Sequence, residues 1–137
     1  MVGDKIGFER AVNDTIQTVQ FDLDSRVQVF ETTIRILGGL ISAHLFASDA
    51  KFGFKLDWYT DELLVMAADV GDRLMPAFAS DSGIPHPRVN LRYGLNNDAV
   101  FEQCIAGAGT LLLEFGMLSR LSGDPKYEQA ARKVPYI

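Results

Sequence analysis

The stretch Val27-Gln28-Val29-Phe30-Glu31-Thr32-Thr33-Ile34-Arg35-Ile36-Leu37-Gly38-Gly39 decides the fold of this chain. Its polar residues are not scattered. Gln28, Glu31, Arg35, Gly38 and Ser42 recur at steps of three and four, which places them on one face of an α-helix. Val27, Phe30, Ile34, Leu37, Ile41 and Leu45 lie beside that face, and Ile36 and Leu40 lie behind it. A narrow polar stripe on a mostly apolar helix can line a wet cavity. Glu31 and Arg35 stand four residues apart, so they can pair. A buried carboxyl beside Phe30 has the setting for a raised pKa, which suits a general acid. The same spacing also fits an ordinary surface ion pair, worth roughly a few tenths of a kcal/mol. Both readings stand at this level.

Working outward, the pattern is helix after helix. Phe8 to Val19 carries apolar residues at helical spacing, followed by a turn at Phe21–Asp24. Ser25, with Gln28 three residues on, reads as a capping box opening a long helix to about Ala47. A loop around Gly53 leads to Thr60-Asp61-Glu62, a capping hydroxyl and two acids at the start of the next helix. Pro76 marks its end. Ser80 to Asp98 is rich in turn formers, with one short strand expected at Val89–Tyr93. A helix resumes near Val100 or Cys104 and runs to Leu121, stopped by Gly123. Asp124-Pro125 opens a last helix, with Asp124 as its cap, and Pro135 ends it. The two longest helices are apolar around more than half their circumference, which implies further helices packed on them. The expected class is all-α.

Composition narrows the function. The chain has 137 residues, 47% hydrophobic and 23% charged, with a net charge of −5, within the globular range. That charge argues against nucleic acid and gives no attraction to an anionic membrane. Glu31 and Arg35 interrupt the longest apolar stretch, Val27–Phe46, so it reads as a buried helix and not a membrane span. The N-terminus shows no signal peptide. The one cysteine, Cys104, cannot form an internal disulfide and reads as a small buried apolar residue. His44 reads as a packed core histidine and His86 as a loop residue, and neither belongs to a metal motif. Glu114, in Leu111–Gly116, is an acid in an apolar helix, expected to be satisfied by a helix terminus or by Arg35 or Arg120. Gly38-Gly39 reads as close helix packing. Asn13-Asp14-Thr15 is a glycosylation sequon, relevant only in the secretory pathway.

Four segments resemble glycoside hydrolase family 47, the class I α-1,2-mannosidases. They are Val29–Ala43, Leu74-Met75-Pro76-Ala77-Phe78, Gly83-Ile84-Pro85 with Val89-Asn90-Leu91, and Leu113-Glu114-Phe115 with Leu118–Asp124. The resemblance runs from about Phe8 to Lys133. It implies an N-terminal part, residues 1–137, of one domain: a partial (α/α) barrel of paired helices from a seven-fold (α/α) barrel. It implies inverting hydrolysis of α-1,2-linked mannose on high-mannose N-glycans, with Glu31 as catalytic acid, Arg35 as its substrate-binding partner, and Ca²⁺ whose protein ligand lies outside this chain. Gly107 stands where the glycan-processing members carry a glutamate. With Pro85–Arg88, it points to the ER degradation-enhancing branch. That branch implies the ER lumen, misfolded glycoproteins as substrates, and ER quality-control proteins as partners. The chain alone is expected to be inactive. The alternative is a non-catalytic helical module that binds a glycoprotein or partner through its apolar helix faces.

Overall fold

The computed structural model describes residues 3–95 and 105–134. Helix α1 spans Lys5–Thr18 and begins where Asp4 accepts the Gly7 amide at 2.8 Å. Only Val12 of this helix is fully buried, so α1 is an outer helix.

The segment that reads as a capping box does not start a helix. Arg26–Gln28 is instead a strand, β1, paired antiparallel with β2, Arg88–Asn90. Arg26 faces Asn90, Val27 faces Val89 and Gln28 faces Arg88. The Ser25 carbonyl accepts the Leu91 amide, and the Val29 amide donates to the Pro87 carbonyl. Cross-strand pairing, invisible to a local cap signal, wins over helix propagation. The strand expected at Val89–Tyr93 is therefore real but one residue early, and its partner was not anticipated.

The central helix follows in three pieces. Helix α2 is Val29–Thr32, a π turn covers Thr33–Leu37, and α3 is Gly38–Ser48. By length and composition alone, Val29–Ser48 could cross a membrane. Here its inner residues Leu37, Leu40, Ile41 and Ala47 are buried in the core. A short 3₁₀ turn and Gly53, at φ 75°, lead away from it.

Helix α4, Glu62–Leu74, lies against α3, with Leu63, Ala67, Val70 and Leu74 buried. Its start is built differently from the expected cap. The Glu62 carboxylate accepts both the Thr60 amide and the Thr60 hydroxyl at 2.8 Å, and Asp61 takes φ 76° without capping. Pro76 stops α4 as expected, within a 3₁₀ turn at Met75–Phe78.

The single helix expected up to Leu121 is two. Helix α5, Ile105–Gly109, breaks at Thr110–Leu111, and α6 runs Leu112–Ser122. Gly107 and Gly109 weaken that stretch, since glycine loses the most backbone freedom in a helix. The expected start at Val100 or Cys104, the packing of Cys104 and the stop at Pro135 lie outside the described residues. Gly123, at φ 76°, closes α6, and its amide donates to the Ser119 carbonyl. Asp124 accepts the Lys126 amide and so caps α7, Lys126–Arg132.

Helices pair in sequence order, α3 on α4 and α6 on α7, with α4 and α6 also in contact. Phe115 joins the layers, edge-on to Phe78 at 5.0 Å and to Tyr127 at 6.4 Å. Asp22 fastens the loop before β1: it accepts from Arg73 of α4 and from Arg92 beyond β2. The Arg92 hydrogen bond, above all, holds its carboxyl below the usual range.

Candidate active site

The π turn sets the geometry around Glu31. It inserts one extra residue into the helix, so the face read from the sequence does not continue straight through it. Gln28 belongs to β1 and leaves the stripe altogether. Val29, Thr33 and Leu37 turn inward, while Ile34, Arg35 and Ile36 are all exposed. Such π insertions recur at functional sites.

Arg35 donates from Nε to Oε2 of Glu31 in an ion pair. Glu31 is half-exposed, its side chain keeping 38% of its surface and that of Arg35 72%, which fits the ordinary ion pair of the two readings. The pair stands on an open surface.

Glu114, from α6, approaches the residue that follows the π turn. Its Cγ would lie 3.5 Å from a Cβ added at Gly38, the first residue after the π turn. The same added Cβ would meet the Thr33 carbonyl at 3.5 Å. Gly38 therefore faces α6 at ordinary contact distance, and the close helix approach read from the sequence is not found there. Nor is it found at Gly39, because nothing lies within 4 Å of its missing side chain.

The structure gives one oxygen of Glu114 neither an arginine nor a helix terminus as partner. Its Oε2 is buried without a hydrogen-bonding partner among the described residues, and so is Thr33 Oγ1. Arg35 is engaged with Glu31, and Arg120 is exposed. Two unsatisfied polar atoms beside one π turn are uncommon in a packed interior. The sequence signal for Glu114 was its place in an apolar run. Thr33 carried no signal, because nothing local marks a hydroxyl that will be buried.

His44 is a packed core histidine, as expected. Its Nδ1 is 2.8 Å from the Tyr59 hydroxyl and 3.7 Å from Asp61. Burial lowers its pKa, and Asp61 opposes that shift. His86 is half-buried, with its backbone amide on the Ala77 carbonyl at 2.7 Å. Among the described residues no group of three or more His, Cys, Asp or Glu comes together to hold a metal ion. The Ca²⁺ implied by the resemblance finds no cage in them.

The model of glycosyl hydrolase family 47 matches residues 1–136. The chain belongs to that family. Within it, the chain is similar to ER degradation-enhancing alpha-mannosidase-like protein 1 of Schizosaccharomyces pombe, 47% identical over 98% of this chain and 17% of the relative. Alpha-mannosidase I MNS4 of Arabidopsis thaliana is also 47% identical, over 98% and 22%. The human ER degradation-enhancing alpha-mannosidase-like protein 3 is 46% identical, over 93% and 14%. The chain thus spans 14% to 22% of the length of these three relatives. Among solved structures, the alpha-1,2-mannosidase from Trichoderma reesei superposes with a TM-score of 0.83 at 30% identity, over 96% of this chain and 28% of that structure. The expected all-α part of a seven-fold (α/α) barrel is therefore borne out. So is the likeness of this family 47 chain to the ER degradation-enhancing branch.

Proposed function

We propose that this chain forms the part of an α-1,2-mannosidase that carries its general acid, Glu31. The observation that carries this reading is the Glu31–Arg35 pair, held on an open face at a π turn in a family 47 chain. An inverting glycosidase uses one carboxylic acid to protonate the departing oxygen and a second carboxylate to activate water from the opposite side. Glu31 takes the first role. Arg35 fixes the orientation of its carboxyl and donates to sugar hydroxyls. Among the described residues neither the second carboxylate nor a Ca²⁺ ligand is assigned, and Glu114 has no chemical step.

The substrate is a high-mannose N-glycan on a misfolded glycoprotein, and the compartment is the ER lumen. The similarity to ER degradation-enhancing mannosidase-like proteins supports both. ER quality-control proteins are its partners. Val29–Ser48 serves as a core helix and not as a membrane span, because it packs on α4 and α6.

A second reading has its own support. Val65 and Leu113 are 68% and 72% exposed on helices of the core, faces suited to a partner helix. In that reading the chain is a non-catalytic module that binds a glycoprotein or partner.

The test is mannose release from a high-mannose glycan with Ca²⁺ present. It compares this chain, a chain lengthened to the full family domain, and the Glu31→Gln variant of each. Release by the lengthened chain alone, lost in Glu31→Gln, supports the first reading. Release that survives Glu31→Gln removes Glu31 as the acid. No release from either length favours the binding module.

A further inference from the structure

We infer that Asn13 is an N-glycosylation site and that the first N-acetylglucosamine of its glycan lodges against Trp58. The inference rests on the lumenal reading above, because only there does a chain meet the transferring enzyme.

The sequon Asn13-Asp14-Thr15 satisfies the acceptor rule, with no proline at its middle position. In the structure Asn13 is exposed on α1. Ile6, Glu9, Arg10 and Asn13 follow three- and four-residue steps, so they share one face of that helix. Together with Trp58 they line an open hollow of about 500 Å³. Trp58 is 42% exposed and Ile6 73% exposed, an apolar floor without a covering element among the described residues. The indole is not loose. Its Nε1 donates to Glu9 at 2.7 Å, which fixes the ring beside the helix.

The chemistry of this hollow matches a sugar attached at its rim. A pyranose presents an apolar C–H face and a polar hydroxyl edge. The indole face meets the first. The remaining lone pairs of the Glu9 carboxylate accept from hydroxyls, and Arg10 donates to the acetamido carbonyl. Attachment at Asn13 also sets the occupant, since whatever is bonded there starts inside the lining of the hollow.

The folded helix is not itself the form that is modified. Thr15 Oγ1 donates to the Ala11 carbonyl at 2.8 Å, so its hydroxyl is engaged once α1 has formed. Transfer therefore precedes folding of this segment. The helix allows for that, because it buries little, and isolated helices of about 12–15 residues are marginal in water.

The experiment expresses the chain in eukaryotic cells behind an added cleavable leader that carries it into the lumen. One gel-mobility step removable by peptide-N-glycosidase is expected, and its loss in both Asn13→Gln and Thr15→Ala. Trp58 is the only tryptophan, so intrinsic emission reports on it alone. At equal helix content by circular dichroism, the glycosylated chain should emit to the blue of Asn13→Gln and be quenched less by acrylamide. An unmodified lumenal chain overturns the site, and a modified chain with unchanged emission overturns the lodging. Protein isolated from its own cells reads the compartment separately. If it lacks the glycan that the leader-directed chain carries, the lumenal reading is at fault and the acceptor site still stands.

Discussion

Gly38 of α3 faces Glu114 of α6 across the contact between the two helices. A methyl group there would stand 3.5 Å from Glu114 Cγ, at ordinary contact distance and no closer. Gly38→Ala should therefore be tolerated, and should stabilise the central helix by roughly 0.5–1 kcal/mol through its lower unfolded-state entropy. Gly38→Leu has no such room, must displace Glu114, and should cost about 1–3 kcal/mol. Urea denaturation of the two variants checks both. Equal stability of Gly38→Leu and Gly38→Ala would show that Glu114 is not packed against this position.

Thr33 is 0% exposed, and its hydroxyl has no partner among the described residues. A buried, unpaired hydroxyl costs about 1–3 kcal/mol, and an apolar group of the same shape avoids that cost. Thr33→Val should therefore raise the urea midpoint of this chain. A lower midpoint would mean that the hydroxyl is satisfied, by an ordered water or by a shift of Glu114 toward it.

How much of this was legible beforehand depends on the range of the interactions. The helices of Lys5–Thr18, Glu62–Leu74 and Lys126–Arg132 follow from periodicity, the Asp124 cap and the stop at Pro76, all local signals. So does Gly123. The strand Arg26–Gln28 does not, because its hydrogen bonds go to Arg88–Asn90, about sixty residues away. The π turn at Thr33–Leu37 does not either. A period of 3.6 assumes an unbroken helix, and one inserted residue rotates everything beyond it. Hence the Glu31–Arg35 pair, four residues apart, was legible, while the exposure of Glu31 and the surroundings of Glu114 were not. Those depend on which neighbours cover each face.

Gly71 shows the same dependence on neighbours. A Cβ there would come within 2.6 Å of Leu118 Cδ2 and 3.2 Å of Tyr127 Cε1. Leu118 is 0% exposed and Tyr127 2%, so neither has free space to retreat into. Gly71→Ala should destabilise the chain by about 1–3 kcal/mol despite the better helix propensity of alanine. A double variant with Leu118→Ala should recover part of that loss, because the two sites share one contact. Strictly additive losses in the pair would place the strain elsewhere.

His44 gives the chain a pH dependence with a definite sign. Burial lowers its folded pKa below the ordinary 6.5, and the nearby Asp61 only partly offsets this. The unfolded chain therefore binds the proton more readily. The contribution of neutral His44 is intact above about pH 6.5. It declines as the pH falls below that value and levels off once the folded-state pKa is passed. The urea midpoint should accordingly drop between about pH 7.5 and pH 5.5, before most carboxylates titrate. His44→Gln can keep a hydrogen bond to Tyr59 but carries no titrating group, so its midpoint should stay level across the same interval. If the wild-type midpoint instead rises on acidification, attraction between protonated His44 and Asp61, 3.7 Å away, outweighs the cost of burying the charge.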